Sequence, residues 1–552
     1  MVKERAKMPV VTLYFNRLQK LVGKKTSKEK IILTLPFIGL DIEEQTQDHI
    51  SVEYSPNRPD YSTDYGIASG LQGLLGIKRG MPRLKITKGK YAINVDSSVR
   101  KVRPFITGIV AKNGKLDNET ISQIITMQED LHNGIGRKRK KASIGIHDLD
   151  KISFPLSYTT VNRNHRFVPL ASSSEMTVTE IIEKTDVGQK YSNILGNGAR
   201  VPIILDSAGN TISFPPIINS ALTAVSEKTK NLLIEVTAIN KNAAEDTLAV
   251  VSNTLREADF DLFSVKISGA NNSTPSLNSR NIVLEVDLVN KILGLDLNST
   301  IIASSLRKGR LDANPKGNKI ICTIPRYRTD IFGPMDLVEE VALGYGIENL
   351  KPTVPKSILA GQKNKITTAL DSISSVMVGL GYLEVMNFGL VSKQVQHDFT
   401  KRDQSKIISV LDSKSQEHTI LRDTILPGLI DTLSRNIHEP YPQKLFETGT
   451  VFSKTHEVQE ETHLACVCAH NDVSFSEVKS VLQAVLKMGF GMNCTTVMSL
   501  DPMFSVGRTA EVHVNNRTVG VIGEISPEVI ENFKLRIPIA GFEIKLTGLI
   551  FD

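Results

Sequence analysis

Four carboxylates, Asp330, Asp336, Glu339 and Glu340, fall within eleven positions of the stretch "RYRTDIFGPMDLVEEVALGYGIENL", residues 326–350. On a helix beginning near Asp336, Glu339 and Glu340 come three and four residues later and share its first turn and face. Asp330 precedes the Phe-Gly-Pro turn that leads into it. Helix chemistry accounts for part of this. Asp336-x-x-Glu339 has the spacing of a capping box, and acids are favoured at a helix N-terminus by the backbone dipole. Glu340 and Asp330 are left over. Converging carboxylates resist ionisation unless a cation joins them, and oxygen ligands without His or Cys suit magnesium rather than zinc. The spacing therefore admits two readings, a capped helix start or a magnesium site.

Other patterns carry less. Cys466, Cys468 and His470 alternate, so they share one face of a strand, either as core residues or as ligands of a soft metal. The run Arg137–Lys141, RKRKK, is either a solvated loop or a phosphate-holding patch. "GYGIEN" lacks the preceding strand of a dinucleotide-binding loop, and nothing resembles a P-loop.

The elements that must position these groups belong to a chain of 552 residues, too long for one core. A hydrophobic share of 40% and a charged share of 23% are those of a soluble protein, and no apolar run reaches the length of a membrane span. Four cysteines without a CxxC pair point to reduced thiols and a cytoplasmic setting. Residues 1–150 hold 26 Lys/Arg against 16 Asp/Glu, while the remainder holds 40 against 43. That asymmetry suits an anionic partner such as nucleic acid, or a simple solubility bias. Residues 56–77 predict a Pro-marked turn and then a helix with Ile67, Leu71, Leu74 and Leu75 at helical spacing. Residues 201–219 predict a hairpin turning at Asp206–Asn210, residues 231–240 a strand, residues 351–357 a linker, and Asn515-Asn516 a second hairpin turn.

Seven stretches, in this order, give a more specific indication: "NRPDYSTDYGIASGLQGLLGI", "RKRKKASIGIHDLDKISFPLSY", "ISFPPIINS", "YRTDIFGPMDLVEEVALGYGIENL", "LPGLIDTLSRN", "KLFETGTVF" and "VGVIGEISPEVIENF". In sequence and spacing the chain resembles the β subunit of phenylalanyl-tRNA synthetase, in its short archaeal and eukaryotic-type form. The resemblance implies a multidomain α/β and α+β chain. Its parts would be an N-terminal domain (1–90), an editing-type α/β domain (91–270) and a winged-helix-like, magnesium-bearing domain (273–350). A class II synthetase catalytic-like antiparallel-sheet domain without catalysis (358–552) would follow. It implies an (αβ)2 assembly in which the α subunit binds ATP and phenylalanine and charges tRNA(Phe). The family pattern carries magnesium over to Asp330, Asp336, Glu339 and Glu340, and an editing pocket to Ser213, Glu235 and Thr237. There the sequence departs from the family, with Glu235 where aspartate is usual and "VTAIN" in place of a glycine-containing VTG.

Residue types in the last domain agree that catalysis lies elsewhere. Lys444-Leu445-Phe446-Glu447 lacks the arginine a class II site places before its motif 2 acid, and Arg508 follows a single glycine. A lysine is a point charge without the bidentate fork that fits a phosphate. Two other readings stay open: a nucleic-acid-binding winged-helix protein outside any synthetase, and a freestanding hydrolase of mischarged tRNA.

Overall fold

A computed structural model describes residues 8–23, 26–196, 198–268, 272–354, 360–411, 413 and 415–550. The chain folds as two compact units, 1–354 and 355–552. The expected linker begins in residues 351–354, which carry no regular structure, and its remaining positions lie outside the described residues. No described helix is long and apolar enough to cross a membrane.

The first unit opens with a three-stranded antiparallel sheet in the order Val10–Tyr14, His49–Tyr54, Leu40–Gln45. The helix Asp64–Leu74, N-capped by Thr63, packs beside it and is buried from Asp64 through Gly73. Glycine is needed there for close approach: a Cβ on Gly66 would lie 1.6 Å from the Asp60 carbonyl oxygen. The predicted turn-then-helix is thus present, and its turn is pressed against the helix that follows.

A ten-stranded sheet comes next. Its strand Leu232–Ala238 runs antiparallel between Phe105–Lys112 and Ala142–Asp148 and is buried at all seven positions. The 17-residue helix Lys241–Glu257 packs over it. The strand Ile86–Val95 belongs to this sheet and crosses the expected boundary at 90, because its partners are Asp261–Ile267 and Leu156–Asn162. The predicted hairpin forms from Arg200–Leu205 and Thr211–Phe214. Its turn is held by Asp206, whose Oδ1 accepts from the amides of Ala208 (3.0 Å) and Asn210 (2.8 Å).

The unit ends in a three-stranded sheet, ordered Arg280–Glu285, Lys319–Ile324, Asp312–Lys316, with helices Val286–Leu293, Ser299–Lys308 and Pro334–Tyr345 around one apolar core.

The second unit is built on a seven-stranded sheet in the order Leu383–Glu384, Gln443–Lys454, Val458–Ala469, Ile539–Lys545, Arg517–Ile525, Phe504–Val514, Thr495–Met498. All neighbours are antiparallel except the first pair. Helices Lys365–Gly379 and Phe475–Phe490 bury one face and Leu426–Arg435 and Pro527–Asn532 the other. The predicted turn at Asn515 and Asn516 has φ of 53° and 61°, the left-handed pair a two-residue hairpin loop requires and asparagine tolerates.

Candidate functional site

The helix Pro334–Tyr345 starts two residues before Asp336, because Pro334 fixes the first helical turn. Asp336 sits at its third position and reaches back, its Oδ2 accepting from the amides of Phe332 (2.6 Å) and Gly333 (2.8 Å). The cap therefore pairs Asp336 with the Gly333 backbone, and the expected Asp336–Glu339 box is replaced. Glu339 is exposed on the next turn.

Asp330 and Glu340 have a cation, and it is a side chain. Arg328, 2% exposed, donates from Nη2 to Asp330 Oδ2 (2.7 Å), from Nε to Asp330 Oδ1 (2.9 Å) and from Nη2 to Glu340 Oε1 (2.5 Å). Its Nη1 donates to the Gly309 carbonyl at 3.1 Å. Beside it Arg58 grips Asp60 through two bonds of 3.0 and 2.8 Å and stacks over the Tyr61 ring at 3.8 Å. Burial pushes the Asp330 carboxyl up, but Arg328 and then Arg58 outweigh it and hold it below the ordinary range. Burial also works against the Arg328 charge, and Glu340 and Asp330 reverse that and keep it protonated.

The magnesium expectation does not fit this arrangement. No three of Asp330, Asp336, Glu339 and Glu340 bring ligand oxygens within 4.8 Å of one another; among the described residues only Cys468, His470 and Glu477 form such a trio. The guanidinium bonds both Asp330 and Glu340, and the Asp336 carboxylate accepts from backbone amides.

The second set of expected residues lies in the ten-stranded sheet. Ser213 and Glu235 line one cavity of about 310 Å³ with Glu129, His132, Arg139, Ser143 and Asn219, walled by Pro215, Pro216, Ile217 and Ile218. Glu235 is 1% exposed, and its Oε2 has no hydrogen-bond partner. Its Oε1 is 3.9 Å from His147 Nε2, while His147 Nδ1 is 2.9 Å from Thr223 Oγ1. Gly145, opposite Glu235 on the neighbouring strand, makes room for both: a Cβ there would lie 2.3 Å from Glu235 Oε1 and 2.6 Å from His147 Nε2. Ser213 donates to Asn219 Oδ1 at 3.0 Å.

Thr237 does not reach the cavity. It is fully buried beneath Ser143, 3.0 Å from the Ser143 hydroxyl, and accepts from Arg103 Nε at 3.0 Å. Arg103 has no carboxylate in bonding range; it donates to the Thr237 and Arg139 carbonyls, and burial pulls its pKa down to about 10 against the pull of Tyr158 and Glu235. At the cavity mouth His132 takes the Ile144 amide on Nε2 (2.9 Å), which leaves its Nδ1 hydrogen for Glu129 (3.2 Å). That bond, and then Arg139, holds the Glu129 carboxyl at about 2.

Sequence reasoning missed His147, Arg103, Ser143, His132, Glu129 and Arg139. Arg139 had a signal, since it belongs to the basic run. That run is neither a free loop nor an open phosphate patch throughout. Arg137, Lys138 and Arg139 have φ of 51°, 54° and 65°, a turn that costs roughly 1–2 kcal/mol per residue. The turn sends Arg139 inward to the Ile217 carbonyl (2.9 Å), Glu129 (2.8 Å) and the Tyr191 ring (4.5 Å).

In the second unit, Lys444 is paired with Glu477 at 2.9 Å. Glu447 is buried against Arg422 (2.5 Å) and Asn387 (2.9 Å). Arg508 is 63% exposed and 3.3 Å from Glu524. Neither basic group forms a fork over a shared cavity.

The fold is a mixed α/β multidomain one, and the domain models that match it are those of an aminoacyl-tRNA synthetase chain. Residues 91–255 match the B3/4 domain, 282–347 the tRNA synthetase B5 domain, and 350–546 the phenylalanyl tRNA synthetase beta chain CLM domain. The chain is 39% identical to the phenylalanine–tRNA ligase beta subunit of Archaeoglobus fulgidus, covering 99% of each chain. It is 37% identical to that of Methanocaldococcus jannaschii, covering 98% of this chain and all of the relative. The structure also resembles an N-terminal fragment of the phenylalanyl-tRNA synthetase beta subunit from Pyrococcus horikoshii, with a TM-score of 0.58 and 30% identity over 61% of this chain and 99% of that one. The chain belongs to the phenylalanine–tRNA ligase beta-subunit family.

Proposed function

We propose that the chain works in the cytoplasm as the non-aminoacylating partner of an α subunit in an (αβ)2 ligase. The α subunit binds ATP and phenylalanine and attaches the amino acid to tRNA(Phe). The β chain supplies assembly, tRNA contact and removal of tyrosine wrongly attached to that tRNA. Residues 91–270 then serve as the editing domain, 273–350 as a winged-helix-like domain and 358–552 as a synthetase-like scaffold. The occupied state of Lys444, Glu447 and Arg508 supports catalysis on the partner, and four free cysteines suit the reducing cytoplasm.

The observation that carries editing is the unpartnered Oε2 of Glu235 in an apolar-walled cavity. A buried acceptor without a donor costs roughly 1–3 kcal/mol. A tyrosyl hydroxyl supplies that donor and a phenylalanyl ring does not. A site built to bond a hydroxyl can reject the analogue lacking it by about 10⁴–10⁵, whereas an apolar synthetic pocket rejects an added hydroxyl by only about 10². The longer side chain of Glu235, relative to the aspartate of the family pattern, is accommodated because Gly145 stands opposite. The test is deacylation of tyrosyl-tRNA(Phe) by the holoenzyme. Glu235→Ala should slow it at least about tenfold, the value of one such hydrogen bond, and leave phenylalanine-dependent pyrophosphate exchange unchanged. Deacylation at the wild-type rate would remove Glu235 from this role.

A further inference from the structure

The strand Val458–Ala469 carries Cys466 and Cys468 on the face covered by the helix Phe475–Phe490, and His470 follows at its end. Ser474 caps that helix and places Glu477 in its first turn. Glu477 Oε1 lies 3.6 Å from Cys468 Sγ, and its Oε2 lies 2.8 Å from His470 Nε2. One ligand atom from each of Cys468, His470 and Glu477 lies within 4.8 Å of the other two. Cys466, which also alternates with them in sequence, is not part of the trio.

We propose that Cys468, His470 and Glu477 form a binding site for a soft divalent metal ion, zinc by the chemistry of its ligands. Thiolate, imidazole and carboxylate are the three zinc donors, with bonds of about 2.0–2.3 Å. Two such ligands on one tetrahedral ion stand roughly 3.3–3.6 Å apart by that geometry. The Sγ–Oε1 separation of 3.6 Å already has this value, and the Nε2–Oε2 separation of 2.8 Å needs a small opening. Metal binding takes the Cys468 ligand as the thiolate and releases its proton to water.

The Tyr382 hydroxyl is buried beside Cys466 and Cys468, on the protein side of the trio. Lys444 is the competitor, 2.9 Å from Glu477 Oε1. Both side chains of that pair are more than a quarter exposed, and such pairs contribute about 0–1 kcal/mol, so the ammonium can yield to a metal and move to solvent. The bound ion would tie the end of the strand to the first turn of the helix.

Titration of the metal-free full chain with cobalt(II), a spectroscopic stand-in for zinc, tests the site. One equivalent should bind with a thiolate-to-cobalt charge-transfer band that zinc then abolishes. Cys468→Ser and His470→Gln should each lose the band, Cys466→Ser should keep it, and Lys444→Met should tighten binding several-fold. Because His470 is partly exposed, its variant keeps the test readable if Cys468→Ser folds poorly. Absence of the band in the wild-type chain, or its persistence at undiminished affinity in either ligand variant, overturns the proposal.

Discussion

The cluster around Arg328 and the cavity around Glu235 both bury carboxylates, and they differ in what answers the charge. Asp330 and Glu340 lie close in sequence to Arg328, which bonds both of them while 2% exposed. Glu235 draws its surroundings from distant strands and keeps one oxygen unbonded, with Arg103 near but not touching it. A charge satisfied within its own segment contributes rigidity. A carboxylate oxygen left unbonded in a cavity contributes no such tie. Dense acidic patterning in a sequence is therefore a poor guide to where binding chemistry resides, because the same patterning can be closed by one arginine.

Arg328→Met should have the largest effect. It takes from the buried Glu340 and the half-buried Asp330 the guanidinium that bonds both, and breaking such a buried pair costs about 3–5 kcal/mol. Denaturant unfolding of the purified protein should show it, and adding Glu340→Gln should restore part of the loss. Unaltered stability in Arg328→Met would erase the contrast between the two regions.

Asp336→Ala comes next. It strips two amides at a helix start of their acceptor and should cost about 1 kcal/mol, the usual value of a capping interaction. A melt indistinguishable from wild type would show that water serves those amides as well.

Glu235→Gln sharpens the other side. Removing an unpaired buried charge should leave stability unchanged or raise it by up to about 1 kcal/mol, while tyrosyl-tRNA deacylation falls. A marked loss of stability would mean that Glu235 has a structural partner after all.

Acid should act on the cavity mouth. The Glu129 carboxyl is depressed from 4.5 to about 2 by His132 and Arg139. A depressed carboxylate contributes stability that is present above its unfolded value and lost as pH falls through the folded one. A modest loss is therefore expected between about pH 4.5 and pH 2, and Glu129→Gln should flatten that part of the stability profile. The smallest effect belongs to metal removal at the first cluster. EDTA should not shift unfolding of the 1–354 unit, since Arg328 supplies the charge; a chelator-sensitive transition that magnesium restores would reinstate the ion.

Much of the local structure was legible from the residues. The turns at Asp206–Asn210 and Asn515-Asn516 formed where their chemistry predicted, because a turn is decided by a few adjacent backbone angles. The strand at 231–240 and the helix after "NRPDY" followed from apolar spacing for the same local reason. The start of the helix Pro334–Tyr345 was misplaced by two residues, since Pro334 outranked Asp336 as the nucleating signal.

What the sequence determined by itself was the order and identity of its elements, and through seven motifs its family. Tertiary structure alone decided which side chains share a site. Thr237 alternates with Glu235 along one strand, yet it is sealed under Ser143 while Glu235 lines the cavity. Cys466 and Cys468 alternate in the same way, yet Glu477 joins only the second. The basic run looked solvent-facing until a left-handed turn brought Arg139 to Glu129 and Tyr191. Turns and periodicity are fixed by neighbours in the chain. The partners of a buried charge are fixed by packing between segments that are scores of residues apart, where Arg103 meets Thr237 and Gly145 makes room for Glu235.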